Sequence, residues 1–124
     1  MKTVLIIDDD SAVCESLSIN IRAMGYDAVS TSTGDSAEKL IQEHDVDLVI
    51  TDIYMPEQDG LEIIRRLRKQ WAKMPIVAIS GGGESGNLDV LRVALALGAS
   101  ASLIKPYEPG ELESILSQLL NGSS

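Results

Sequence analysis

An alternation constrains this chain more than any other feature. Short apolar runs at Val4 to Ile7, Asp47 to Thr51, Ile76 to Ser80 and Ala101 to Ile104, with a further short strand at Asp27 to Ser30, take turns with longer stretches of helical period. In those stretches apolar residues recur three or four positions apart: Val13, Leu17, Ile21 and Met24; Ala37, Leu40 and Ile41; Leu61, Ile64, Leu67 and Trp71. Leu88, Leu91 and Leu95, then Leu112, Ile115, Leu116 and Leu119, continue the series. Gly25, Gly98 and Met74-Pro75 read as helix stops, and Ser11, Ser32 or Thr33, Asn87 and Pro109 as residues near helix starts. Strands and helices in strict alternation predict an α/β fold, a parallel sheet covered by helices on both faces.

At 124 residues the chain has the length of one domain, expected to occupy residues 1–120, with 121–124 as a frayed tail or a non-native remnant and no output domain following. Hydrophobic residues make up 44% and aromatic ones 3%, so the core must be aliphatic, and disorder is excluded. No apolar run approaches the length of a membrane span or a signal peptide, which predicts a cytoplasmic protein. The single cysteine, Cys14, lies in a helical apolar pattern and reads as a small buried hydrophobe in a reducing compartment. A net charge of -9 repels nucleic-acid phosphates. The one basic cluster, Arg65, Arg66, Arg68, Lys69 and Lys73, reads as a solvated helix face, with a partner contact as the other option.

In open α/β sheets ligands bind beyond the carboxyl ends of the strands. Here the first strand ends in Asp8, Asp9 and Asp10, the third in Asp52, the fourth in Ser80 and the fifth in Lys105. Carboxylates so crowded must splay into water or share a cation, and an all-oxygen ligand set favours Mg2+. The competing explanation, an acidic cluster supporting the dipole of the helix from Ser11, accounts for Asp10 but not for Asp52 or Lys105. His44 reads as a solvated residue in the turn before the third strand, and Trp71 as a cover for apolar surface. Gly81-Gly82-Gly83 is followed by Glu84 instead of the lysine and hydroxyl of a P-loop, so it reads as a flexible switch loop.

Leu5-Ile6-Ile7-Asp8-Asp9, Val49 through Pro56 with Asp59-Gly60, Ser80, and Gly98-Ala99 with Lys105-Pro106-Tyr107 together resemble a response-regulator receiver domain over essentially the whole chain. The resemblance implies a doubly wound, flavodoxin-like sheet of strand order 2-1-3-4-5. It implies that Asp52 accepts a phosphoryl group from a histidine kinase or histidine phosphotransfer protein, and that Asp9, Asp52 and the Tyr54 carbonyl ligate Mg2+ while Asp8 holds a metal-bound water. It further implies that Lys105 and Ser80 contact the phosphoryl group and that Lys105-Pro106 is a cis peptide. No DNA-binding segment is evident in the sequence, so the output is expected to come from binding another protein or from a further domain. Tyr54 and Gly82 match positions that influence how water reaches the acyl phosphate. One departure stands out: Ser102 occupies the position where receivers usually carry a switching aromatic residue. Two other readings remain open. One is a phosphate-independent receiver-like interaction module, which the presence of both Asp52 and Lys105 disfavours. The other is an enzyme on a similar sheet: a flavodoxin would need a hydroxyl-rich phosphate loop, and an aspartyl-phosphate phosphatase the spaced Asp-x-Asp-x-Thr that Asp8-Asp9-Asp10-Ser11 lacks.

Overall fold

Successive strand residues point to opposite faces, so a run such as Val4-Leu5-Ile6-Ile7, apolar throughout, needs cover on both. A computed structural model describes residues 1–55, 58–81 and 87–121, the side chains of 87–89 excepted, and provides that cover. In chain order the elements are β1 (Thr3–Ile7), α1 (Ser11–Ala23), β2 (Asp27–Thr31), α2 (Gly34–His44), β3 (Leu48–Asp52), β4 (Tyr54–Met55), β5 (Gln58–Asp59) and α3 (Gly60–Gln70). Then follow β6 (Ile76–Ser80), α4 (Asn87–Leu97), β7 (Ala101–Ile104) and α5 (Pro109–Asn121). The five longer strands form one parallel sheet of order β2-β1-β3-β6-β7, the 2-1-3-4-5 order that the resemblance implies. β4 and β5 make a separate two-residue antiparallel ladder, too short to leave a periodic signal in the sequence.

Leu5, Ile7 and Val49 share one core with Ala37 and Ile41 of α2, Ile64 and Leu67 of α3 and Ala94 of α4. Val4, Ile6 and Ile50 share the other with Cys14, Leu17 and Ile21 of α1 and Leu112 and Leu116 of α5. Cys14 is buried, as its place in the helical pattern predicts, and its thiol donates to the Asp8 carbonyl. Among the described residues no helix is long and apolar enough to cross a membrane.

The element boundaries move by a residue or so, for identifiable reasons. Asp47 sits outside β3 because its carboxylate accepts the Thr3 N–H at 2.8 Å, while its own N–H goes to the Thr3 carbonyl. The α1 cap is Asp10, whose side chain accepts from the Ala12 and Val13 amides; Thr33 caps α2 and Asp59 caps α3 in the same way. Met24 and Trp71 are C-terminal caps rather than helical residues, yet both still pack on the cores, so Trp71 does cover apolar surface. His44 is the exposed last residue of α2 and not part of a turn; the left-handed Asp45 ends the helix after it.

The basic cluster is only partly the solvated face expected. Arg65, Lys69 and Lys73 are exposed, but Arg66 reaches Asp35 and Glu38 of α2. Arg68 donates to the Gly98 carbonyl and to those of Trp71 and Ala72, closing the carboxyl ends of α3 and α4 with one guanidinium. Residues 82–86 and 122–124, which include most of the expected glycine switch loop and most of the expected tail, lie outside the described residues.

Truncation should separate core from surface. Ile64→Ala, at a fully buried site, should cost about 2–5 kcal/mol in denaturant unfolding, while Ile19→Ala, 60% exposed on α1, should stay within about 0.5 kcal/mol.

Candidate functional site

The parallel register assembles the site. Ile7 is paired with Thr51, so Asp8 and Asp52, the next residues of adjacent strands, emerge side by side. Ser80 is paired with Ile104 and its carbonyl accepts the Lys105 amide at 2.8 Å, which brings hydroxyl and ammonium to the same rim. Carboxylate oxygens of Asp8, Asp9 and Asp52 lie within 4.8 Å of one another, and the Lys105 ammonium is 3.8 Å from Asp8 Oδ2. The Lys105-Pro106 peptide is cis, as the resemblance implies.

The three acids are not equivalent. Asp8 is 4% exposed; its Oδ1 accepts the Asp10 amide at 2.9 Å, and its Oδ2 faces Lys105. Asp9 is exposed, and Asp10 is turned away to cap α1. Asp52 Oδ1 is buried with no hydrogen-bond partner, an uncommon state for a carboxylate oxygen and the mark of a group shaped for a ligand. Burial raises the pKa of Asp52, against the opposing pull of Lys105, and the neighbouring Asp8 raises it further. Burial likewise raises that of Asp8, offset by the Asp10 amide and by Lys105.

A hard divalent cation fits this set. All donors are oxygens, the buried Asp52 Oδ1 lacks a partner, and like charges confined in one place are relieved by a shared cation. Among the described residues, Asp8, Asp9 and Asp52 are the carboxylates grouped closely enough to hold it. Ser80 is fully buried at the end of β6, and its hydroxyl reaches the Gly81 carbonyl at 3.4 Å. The Tyr54 side chain is 45% exposed beside the site; Gly82 lies outside the described residues.

Periodicity gives no hint of the contacts that Gln58 and Tyr107 make across elements. The Gln58 side chain accepts the Gly34 amide at 2.8 Å and donates to the Ser32 carbonyl at 2.6 Å, tying the β4–β5 ladder to the start of α2. Tyr107, quoted above only as part of a motif, is half-buried against the α1–α5 core; burial, with Asp8 adding to it, raises the pKa of its phenol.

Comparison with known proteins agrees with this geometry. Residues 4–117 match the family described as the response regulator receiver domain. The alkaline phosphatase synthesis transcriptional regulatory protein PhoP of Bacillus subtilis (strain 168) is 30% identical over 122 residues, 98% of this chain and 50% of that protein. The chain thus spans about half the length of that curated relative. A putative response regulator from Chloroflexus aurantiacus J-10-fl superposes with TM-score 0.86 at 30% identity, covering 97% of this chain and 98% of the other. The Vibrio cholerae chemotaxis protein CheY4 does so with TM-score 0.85 at 27% identity, covering 97% and 99%.

The raised pKa values have a testable sign. The folded state binds protons at Asp8 and Asp52 more tightly than the unfolded chain, so these two acids weaken the metal-free fold as pH rises through and above the ordinary carboxylate range. Asp52→Asn removes one of them. In thermal denaturation with chelator, the stability of Asp52→Asn relative to the unmodified chain should grow as pH rises from the ordinary carboxylate range toward neutrality. A difference that shrinks with pH would refute the assignment.

Proposed function

The chain belongs to the response regulator receiver domain family, a signalling module rather than an enzyme acting on separate substrates, and from that premise we propose that Asp52 is its phosphoryl acceptor. The observation that carries the proposal is the partnerless buried Oδ1 of Asp52, set beside Asp8 and Asp9. A buried carboxylate oxygen without a hydrogen bond keeps its lone pairs for a ligand of the site, which leaves the other Asp52 oxygen for the phosphorus. In the proposed step an Asp52 oxygen attacks the phosphorus in line, the new O–P bond forms as the N–P bond of a phosphohistidine breaks, and the released imidazole takes up a proton.

Positioning and charge neutralisation carry most of such a transfer. Asp9, Asp52 and the Tyr54 carbonyl would hold Mg2+, with Asp8 acting through a bound water. When bound, Mg2+ supplies positive charge to the phosphoryl oxygens. The Lys105 ammonium, already at the rim beside Asp8, neutralises a further oxygen. The Ser80 hydroxyl, buried at the end of β6, turns to donate to the phosphoryl group and draws the start of the following loop with it. Ser102 on β7 offers no ring to rotate, and a cavity of about 370 Å³ lies there, lined in part by Leu91, Leu95, Ser102 and Ile104. The signal therefore passes by backbone displacement toward α4.

The partners in this reading are a histidine kinase or histidine phosphotransfer protein upstream and a protein target downstream, in the cytoplasm, with no nucleic-acid contact by this chain. The net charge of -9 supports the last point.

Incubation with Mg2+ and acetyl phosphate should add one phosphoryl group, visible by intact mass, and Asp52→Asn should take none. Absence of the adduct from the unmodified chain would favour the phosphate-independent module. The acidic triplet should dissociate into two roles. Asp9→Asn should weaken Mg2+ binding by about tenfold or more. Asp10→Ala should leave the affinity nearly unchanged and cost about 1 kcal/mol of stability through the lost α1 cap. Equal losses of affinity would overturn these roles.

A further inference from the structure

The first residue of α3 is pressed against the backbone of the acceptor segment. A Cβ at Gly60 would stand 2.5 Å from the Ile53 Cα and 2.9 Å from the Ile53 carbonyl oxygen, and closer still to the carbonyl oxygen of Asp52. All of these are main-chain atoms, so no rotamer change relieves the contact. The Gly60 amide also donates to the Ile53 carbonyl at 3.2 Å. Immediately before it, Asp59 caps α3 with its side chain and is paired with Tyr54 across the β4–β5 ladder. The end of β3, the ladder and the first turn of α3 therefore form one piece, with Gly60 at its tightest point.

We infer that Gly60 is a positioning residue: its missing side chain lets α3 approach closely enough to fix the Asp52–Tyr54 backbone, and so aims the Asp52 carboxylate at the place where those of Asp8 and Asp9 converge. The inference rests on the proposed Mg2+ site. Two other glycines separate this role from ordinary packing. A Cβ at Gly34 would meet Cγ1 and Cδ1 of Ile63 at 2.6 and 2.8 Å, comparably tight, but against an aliphatic side chain of α3 instead of the backbone that carries Asp52. A Cβ at Gly110 would meet nothing within 4 Å.

The test compares Gly60→Ala, Gly34→Ala and Gly110→Ala by calorimetric Mg2+ titration and by melting temperature. Gly60→Ala should bind Mg2+ about tenfold or more weakly, the usual effect of disturbing a group that orients a ligand. Gly34→Ala should melt earlier but bind Mg2+ within about twofold of the unmodified chain, and Gly110→Ala should lose neither. Amide shifts of the unmodified chain give an arm that needs no variant, and it decides the matter if Gly60→Ala does not fold. The Gly60 amide should move with Mg2+ along the same isotherm as Asp52, while that of Gly110 stays still. Unchanged affinity in Gly60→Ala, losses that merely follow melting temperature across the series, or a Gly60 amide that ignores Mg2+ would each overturn the inference. An unmodified chain that binds no Mg2+ would instead overturn the metal site on which it rests.

Discussion

The pairing of Ile7 with Thr51 in parallel register is the constraint on which the rest depends. Hydrogen bonds and two apolar cores hold β1 beside β3, and the side-chain alternation of both strands allows no slip of one residue without turning each core inside out. The charged residues that follow have no comparable freedom to choose their neighbours. Asp8 and Asp52 are delivered side by side because their strands are locked further down, and the cost of crowding two acids, one buried and one half-buried, is met by packing elsewhere in the domain. Function sits where the sheet runs out of hydrophobic residues.

This explains which features were legible in the sequence. Five strands and five helices could be found because each buries a face, and burial leaves a period of two or of 3.6. The strand-end residues Asp8, Asp52, Ser80 and Lys105 could be found because their elements could. Asp10 was rightly set apart from its neighbours, since its role as a cap is local. What escaped was every contact made by a side chain reaching across elements. Gln58 is one polar residue in a short connection, and nothing near it in sequence shows that it serves Ser32 and Gly34. The tightness at Gly60 depends on where α3 lies against β3, which no spacing records.

Arg66 and Arg68 make the same point about charge. A run of basic residues at a helix end has the composition of a solvated surface, and Arg65, with its neighbour Glu62, behaves as one. Three residues on, the Arg68 guanidinium loses part of its hydration and meets three carbonyl oxygens, and burial lowers its pKa. One helix thus carries both a water-facing charge and a structural fastening, distinguished by position along α3, since Arg68 lies in the last turn within reach of the carbonyls beyond it.

That fastening sets how α4 can travel. Arg68 holds the carbonyl of Gly98, the residue just past the carboxyl end of α4, while the amino end of the helix lies on the side of the sheet that carries the acids. Buried Ala94 and the Arg68 contact both hold the carboxyl half of α4, so a swing of the helix would be largest at its amino end. For a helix of this length a tilt of about 10° carries the Asn87 end through about 3 Å and leaves the Gly98 end in place. In such a swing Arg68 would be the fulcrum and the Asn87 end the long arm, on the side of the acidic rim, so a small displacement there would be felt along the outer surface of α4 in proportion to distance from the pin.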